Sequence, residues 1–86
     1  MALLLVRKRL AACVNIVPGI RSYFWWKGKV DQASECLLVI KTTRNHFDRL
    51  AKFLKKIHPY EIPEIIGLPI AKGLTSYLRW IRSSLL

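Results

Sequence analysis

The residue pattern predicts an α+β fold in which a long β-hairpin packs against helices. Three observations carry that reading. From Cys13 to Trp26 the chain is dense in β-branched and aromatic residues, interrupted only at Pro18-Gly19, a composition that suits strands. A second apolar run, Cys36 to Ile40, follows a polar connection. Phe47, Leu50, Ala51, Leu54 and Ile57 then recur at helical spacing, placing them on one face of an amphipathic helix.

Each element can be justified in chain order. Leu3, Val6 and Leu10 share a helical face, and Arg7-Lys8-Arg9 suits the negative end of a helix dipole, so the chain opens on the last turns of a helix. The strand from Cys13 to Trp26 must bend or bulge at Pro18-Gly19, because proline cannot donate to a central ladder. Trp26-Lys27-Gly28-Lys29 begins a polar stretch through Asp31, Gln32 and Ser34, which predicts a hairpin with a long loop. On that reading Cys36 lies opposite about Phe24. The run Leu37-Leu38-Val39-Ile40 lacks alternation and is expected near the centre of a sheet, covered on both faces or buried in an interface.

Asn45 is the expected cap of the next helix, with Asp48 in its first turn. Pro59 disfavours helical geometry at His58, so the helix should end near Ile57. Ile62 to Leu68 reads as a further strand, with Pro63 near its start and Pro69 at its end. Lys72-Gly73 is a break, and Tyr77, Leu78 and Ile81 share a face in a short terminal helix flanked by Trp80. The chain, residues 1–86, reads as one domain.

Composition narrows the function classes. With 52% hydrophobic and 23% charged residues the chain is globular rather than disordered. Its net charge of +10 attracts polyanions such as nucleic acid or anionic lipid. The basic residues are scattered along the sequence, so no specific nucleic-acid site is expected. Cys13 and Cys36 lie in apolar runs without metal-type spacing and read as small buried hydrophobes rather than a disulfide scaffold. The apolar opening Met1 to Val6 precedes its charges, the wrong order for a signal peptide. No transmembrane segment is present by length, and a cytoplasmic location is the default expectation.

The motifs Arg9-Leu10-Ala11-Ala12-Cys13-Val14-Asn15, Pro18-Gly19, Trp26-Lys27-Gly28-Lys29, Ile40-Lys41-Thr42, His58-Pro59-Tyr60-Glu61-Ile62-Pro63-Glu64, Leu68-Pro69 and Tyr77-Leu78-Arg79-Trp80-Ile81 occur in the order found in CutA divalent-cation tolerance proteins. The chain resembles that family from about Leu10 to Ile81. The element order matches a ferredoxin-like sandwich with its first strand and the start of its first helix missing. The resemblance implies a homotrimer in which the hairpin of one subunit meets its neighbours. The first strand of such a sheet lies between the third and fourth. Without it, Cys36–Ile40 and Ile62–Leu68 must pair with each other, pair with another chain, or stay unpaired. The sequence therefore reads as a shortened CutA-type product, incomplete at its N-terminus, that folds poorly alone.

Catalysis is not expected. Five acidic residues and two histidines offer no triad, and no Gly-rich phosphate loop occurs. The resemblance instead implies Cu(II) or another divalent cation as ligand, and imidazole and thiolate suit copper. Of the resemblance's ligands only His58 carries over onto this chain, since the family's cysteine lies in the missing first strand; Cys13 is a second metal candidate by its residue type. The open alternatives are a helix-terminal histidine held by a local hydrogen bond and a packed thiol. A second site class follows from the likeness of CutA trimers to nucleotide-binding nitrogen-regulatory trimers. It is a cleft between subunits drawing on Tyr23, Trp26, Lys41, Tyr60 and Glu61. Interface packing for Tyr23 and Trp26, and a Lys41–Glu61 ion pair, are the competing roles.

Overall fold

The computed structural model describes residues 1–86. Its elements are α1 (Ala2–Arg7), β1 (Cys13–Trp26), β2 (Lys29–Lys41), α2 (Arg44–Ile57) and α3 (Thr75–Ser83). The sheet has two antiparallel strands, β1 and β2, and the architecture is α+β, a ferredoxin-like arrangement reduced to its hairpin and helices. At about 3.3 Å per residue the fourteen residues of β1 account for the 45 Å long axis of the molecule.

The hairpin is tighter than the sequence reading. Trp26 pairs with Lys29 across a two-residue turn, and Lys27 and Gly28 hold φ of 51° and 78°. Positive φ at both central residues marks the turn whose twist matches antiparallel strands. The polar stretch Lys29 to Glu35 is therefore strand, not loop, and its polarity belongs to a sheet end that no helix covers. A Cβ at Gly28 would meet nothing within 4 Å, so only backbone strain opposes a side chain there. Gly28→Ala is expected to cost about 1 to 2 kcal/mol, read as a lower melting temperature.

The bend expected at Pro18-Gly19 is a β-bulge. Val17 pairs with Leu37 and Ile20 with Glu35, so two residues of β1 oppose Cys36 alone. Gly19, at φ 74°, supplies the conformation, and Pro18 sits where a missing donor costs no ladder bond. Cys36 faces the bulge rather than Phe24, and it is exposed, not the buried hydrophobe expected from its apolar neighbours.

The core sits between the base of the hairpin and the helices. Leu5, Ala11, Leu50 and Leu54 form it, with Leu10, Val14, Ile40, Phe53 and Ile65 packed around. α1 ends in a two-bond cap, Leu10 N–H to Leu5 O at 3.1 Å and Arg9 N–H to Val6 O at 3.0 Å. Arg9 takes φ 57° where glycine is usual. α2 begins one residue earlier than its expected cap. Thr43 is the N-cap, and its hydroxyl meets His46 Nδ1 at 2.7 Å. Asn45 is already helical. α2 ends at Ile57 with His58 extended, φ −80° and ψ 135°, as Pro59 requires.

The segment expected as a strand, Ile62 to Leu68, is extended but forms no ladder. It runs along α2, with Gly67 against the Phe47 ring and Ile65 touching the core. No neighbouring strand meets its backbone, which is why its strand-like composition does not become sheet. The outer edge of β2 is likewise unpaired. Within one chain the two edges therefore do not pair with each other.

The central run of β2 is not covered on both faces. By strand alternation Val14 and Ile40 face the helices, while Val17, Leu37 and Val39 point from the opposite face and stay 39%, 49% and 42% exposed.

Candidate functional site

The two metal candidates lie far apart in the molecule. Cys13 starts β1, cross-strand from Lys41, and Lys41 Nζ makes a long contact of 3.9 Å with Cys13 Sγ. Cys13 is half-buried there, whereas Cys36 is exposed. His58 lies at the far end of α2, which rises about 21 Å over its length. The two therefore do not meet within one chain. No group of three His, Cys, Asp or Glu side chains is placed to hold a metal ion.

His58 is engaged locally. The Tyr60 N–H donates to His58 Nδ1 at 3.2 Å, and the two rings meet edge to face with centroids 4.6 Å apart. In the neutral ring the proton then sits on Nε2. An ion at Nδ1 would displace the Tyr60 N–H, and an ion at Nε2 would require the proton on Nδ1, which could then no longer accept. Ligation through either nitrogen gives up the same hydrogen bond. His46 is further removed from such a role, since its ring bonds Thr43 and the Leu86 carbonyl oxygen.

The five cleft candidates fall into three places. Tyr23 and Trp26 stand at the hairpin tip, Tyr23 65% exposed and Trp26 with Lys27 Nζ 5.8 Å from its ring centre. Lys41 stands at the hairpin base. Its separation from the Tyr23–Gln32 pair is nine residues of β2, about 30 Å. Tyr60 and Glu61 follow α2. Glu61 lines an open cleft of ≈ 540 Å³ with Lys52, Lys55, Ile62, Pro63 and Ile65. One chain therefore brings Tyr60 and Glu61 together but not the whole set, and Lys41 turns to Cys13 rather than to Glu61.

The Lys41–Cys13 contact is not legible in the sequence because it depends on register, and the register depends on the single-residue bulge. The two lysines beside Glu61 are legible only as a basic helix face. Their spacing, Lys52 and Lys55 on one side of α2, is the available signal.

Comparison with known proteins agrees with the geometry. Residues 1–84 match the family model described as CutA1 divalent ion tolerance protein. The chain is 51% identical over 80 residues to the divalent-cation tolerance protein CutA of Thermus thermophilus, covering 93% of this chain and 78% of that protein. It is 48% identical over 77 residues to human protein CutA, of which it covers 43%. The chloroplastic CutA 1 of Oryza sativa is 49% identical and 45% covered, so the chain spans under half the length of these two eukaryotic relatives. Among solved structures, the Thermus thermophilus divalent cation tolerance protein superimposes with a TM-score of 0.95 at 50% identity, over 98% of this chain and 82% of that one. A PII-like CutA from Nostoc in apo form gives 0.93 at 31% identity, over 99% and 83%. With nearly its whole length matched in both sequence and backbone, the chain belongs to the CutA1 divalent ion tolerance family.

Proposed function

We propose that this protein serves divalent-cation tolerance, with copper as its ion, as a non-enzymatic homotrimer of the cytoplasm. CutA proteins are non-enzymatic, and no helix here is long and apolar enough to cross a membrane. The observation that supports assembly is the bare sheet face. Val17, Leu37 and Val39 present apolar surface that no element of the chain covers, and contiguous exposure of this kind marks interfaces. Light scattering is expected to give the mass of three 10.0 kDa chains, and a monomer at micromolar concentration overturns the reading.

In this proposal His58 is the ligand each subunit offers, with Cys13 as a secondary sulfur ligand, and a complete coordination shell draws on more than one subunit. The Tyr60 N–H bond is the local cost of ligation. His58→Ala is expected to weaken Cu(II) binding by at least about tenfold, measured by isothermal titration. Unchanged affinity removes His58 from the site.

A second reading is favoured by the placement of the hairpin tip. The hairpin, at about 45 Å, is about twice as long as α2, so Tyr23 and Trp26 of one subunit can reach a neighbour's Lys41 or its Tyr60–Glu61 cleft. That arrangement would hold a small ligand or a partner protein between subunits. The two readings separate by whether metal alone raises the melting temperature.

A further inference from the structure

The fold gathers basic residues that the sequence scatters. α1 contributes Leu5, and α2 contributes Leu50 and Leu54, to one core cluster that also touches Val14 and Ile40 of the hairpin. Lys8 Nζ stands 5.3 Å from the centre of the Phe53 ring, and on α2 Phe53 is flanked by Arg49 four residues before it and Lys56 three after. Arg9 and Arg49 are drawn to the same stretch of chain, donating to the carbonyl oxygens of Ser84 and Leu86 at 3.3 Å each. Lys52 lies on the outward side of α2 beside Lys56, opposite the buried Leu50 and Leu54. Asp48 is the one acidic residue on that helix. Of the other four acids, Asp31 and Glu35 lie on β2, Glu61 lines the cleft that Lys52 borders, and Glu64 follows it in the chain.

α1 itself carries exposed apolar side chains beside Lys8. With Leu5 turned fully inward, helical geometry directs Leu3 away from the core and Leu4 to its side, and they are 62% and 40% exposed. A polyanion in solution, such as a nucleic acid, gains nothing from two uncovered leucines. A lipid surface does. Basic side chains each gain about 1 kcal/mol near an anionic leaflet, and shallow apolar insertion adds a second, independent signal of the kind that peripheral attachment requires.

We infer that the outer face of α1 and α2, formed by Leu3, Leu4, Lys8, Arg49, Lys52 and Lys56, docks on anionic lipid bilayers. Charge complementarity selects the occupant, since the chain carries +10 overall and this face holds the basic cluster. The face lies on the side of the sheet opposite Val17, Leu37 and Val39, so docking and subunit assembly use different surfaces.

The test is sedimentation of the full chain with vesicles of phosphatidylcholine alone and with about one third phosphatidylserine, at physiological salt. Binding is expected to the phosphatidylserine vesicles and not to the neutral ones. Lys52→Gln with Lys56→Gln should weaken it by about thirtyfold, and Lys52→Arg with Lys56→Arg should retain it. Leu3→Ser with Leu4→Ser should weaken vesicle binding by about tenfold or more while leaving binding to a short DNA duplex unchanged. Equal binding to both vesicle types overturns the inference. So does its absence at physiological salt, or vesicle binding that ignores the leucine substitutions and tracks DNA binding.

Discussion

Leu5→Ala is expected to remove about 2 to 5 kcal/mol of stability. Leu5 is fully buried, the largest side chain so enclosed, and it touches the core from a six-residue helix. Three things depend on it at once. It fills the space between Leu50 and Leu54, it anchors a helix too short to hold together by its own hydrogen bonds, and its carbonyl receives the Leu10 N–H that turns the chain into β1. Only six of 86 residues are buried, so few neighbours exist to collapse into the cavity. Typical domains retain about 5 to 15 kcal/mol in total, which makes the loss a large share of what holds the fold. Urea unfolding at fixed protein concentration reads it directly. Leu3→Ala, on the exposed side of the same helix, is the matched control, expected within about 0.5 kcal/mol of the parent.

The second large effect concerns assembly. Leu37→Glu with Val39→Glu is expected to convert the proposed trimer to monomer. In the isolated chain both side chains are already over two-fifths exposed, so the substitutions cost the single subunit little. In a buried interface two carboxylates without partners cost several kcal/mol each. The same pair of substitutions is thus nearly silent in one state and prohibitive in the other. Light scattering of parent and variant, each shown folded by circular dichroism, distinguishes them. A variant that keeps the parent's mass places the interface elsewhere.

Local chemistry explains which parts of this fold are legible in the sequence. α2 is readable because its spacing, its basic outer face and Pro59 all point the same way, and the helix ends at Ile57. The Pro18-Gly19 bulge is readable because one residue lacks a donor and the other tolerates positive φ. The turn is misplaced in a sequence reading because Asp31, Gln32 and Ser34 are polar, and polarity there reports a solvent-facing strand end rather than a loop. Ile62 to Leu68 has strand composition, yet composition cannot provide the neighbour that a ladder needs. Its place along α2 is a tertiary outcome. The site candidates show the same division. Tyr60 and Glu61 are adjacent in sequence and stay together in space, whereas Lys41 finds Cys13 only through a register that one bulge residue sets.

The unpaired outer edge of β2 bears on more than assembly geometry. Leu37-Leu38-Val39-Ile40 is a flat apolar stretch without proline or charge, and its free backbone groups are a template on which like segments can stack as cross-β. Glu35 and Lys41 bracket it as gatekeepers, placing a charge just beyond each end of the exposed run. The shielding that keeps this chain from polymerising therefore rests on two side chains, and one of them, Lys41, is also the group that leans on Cys13. A substitution at position 41 therefore acts in two places, on the guarded edge of β2 and on the surroundings of the Cys13 thiol.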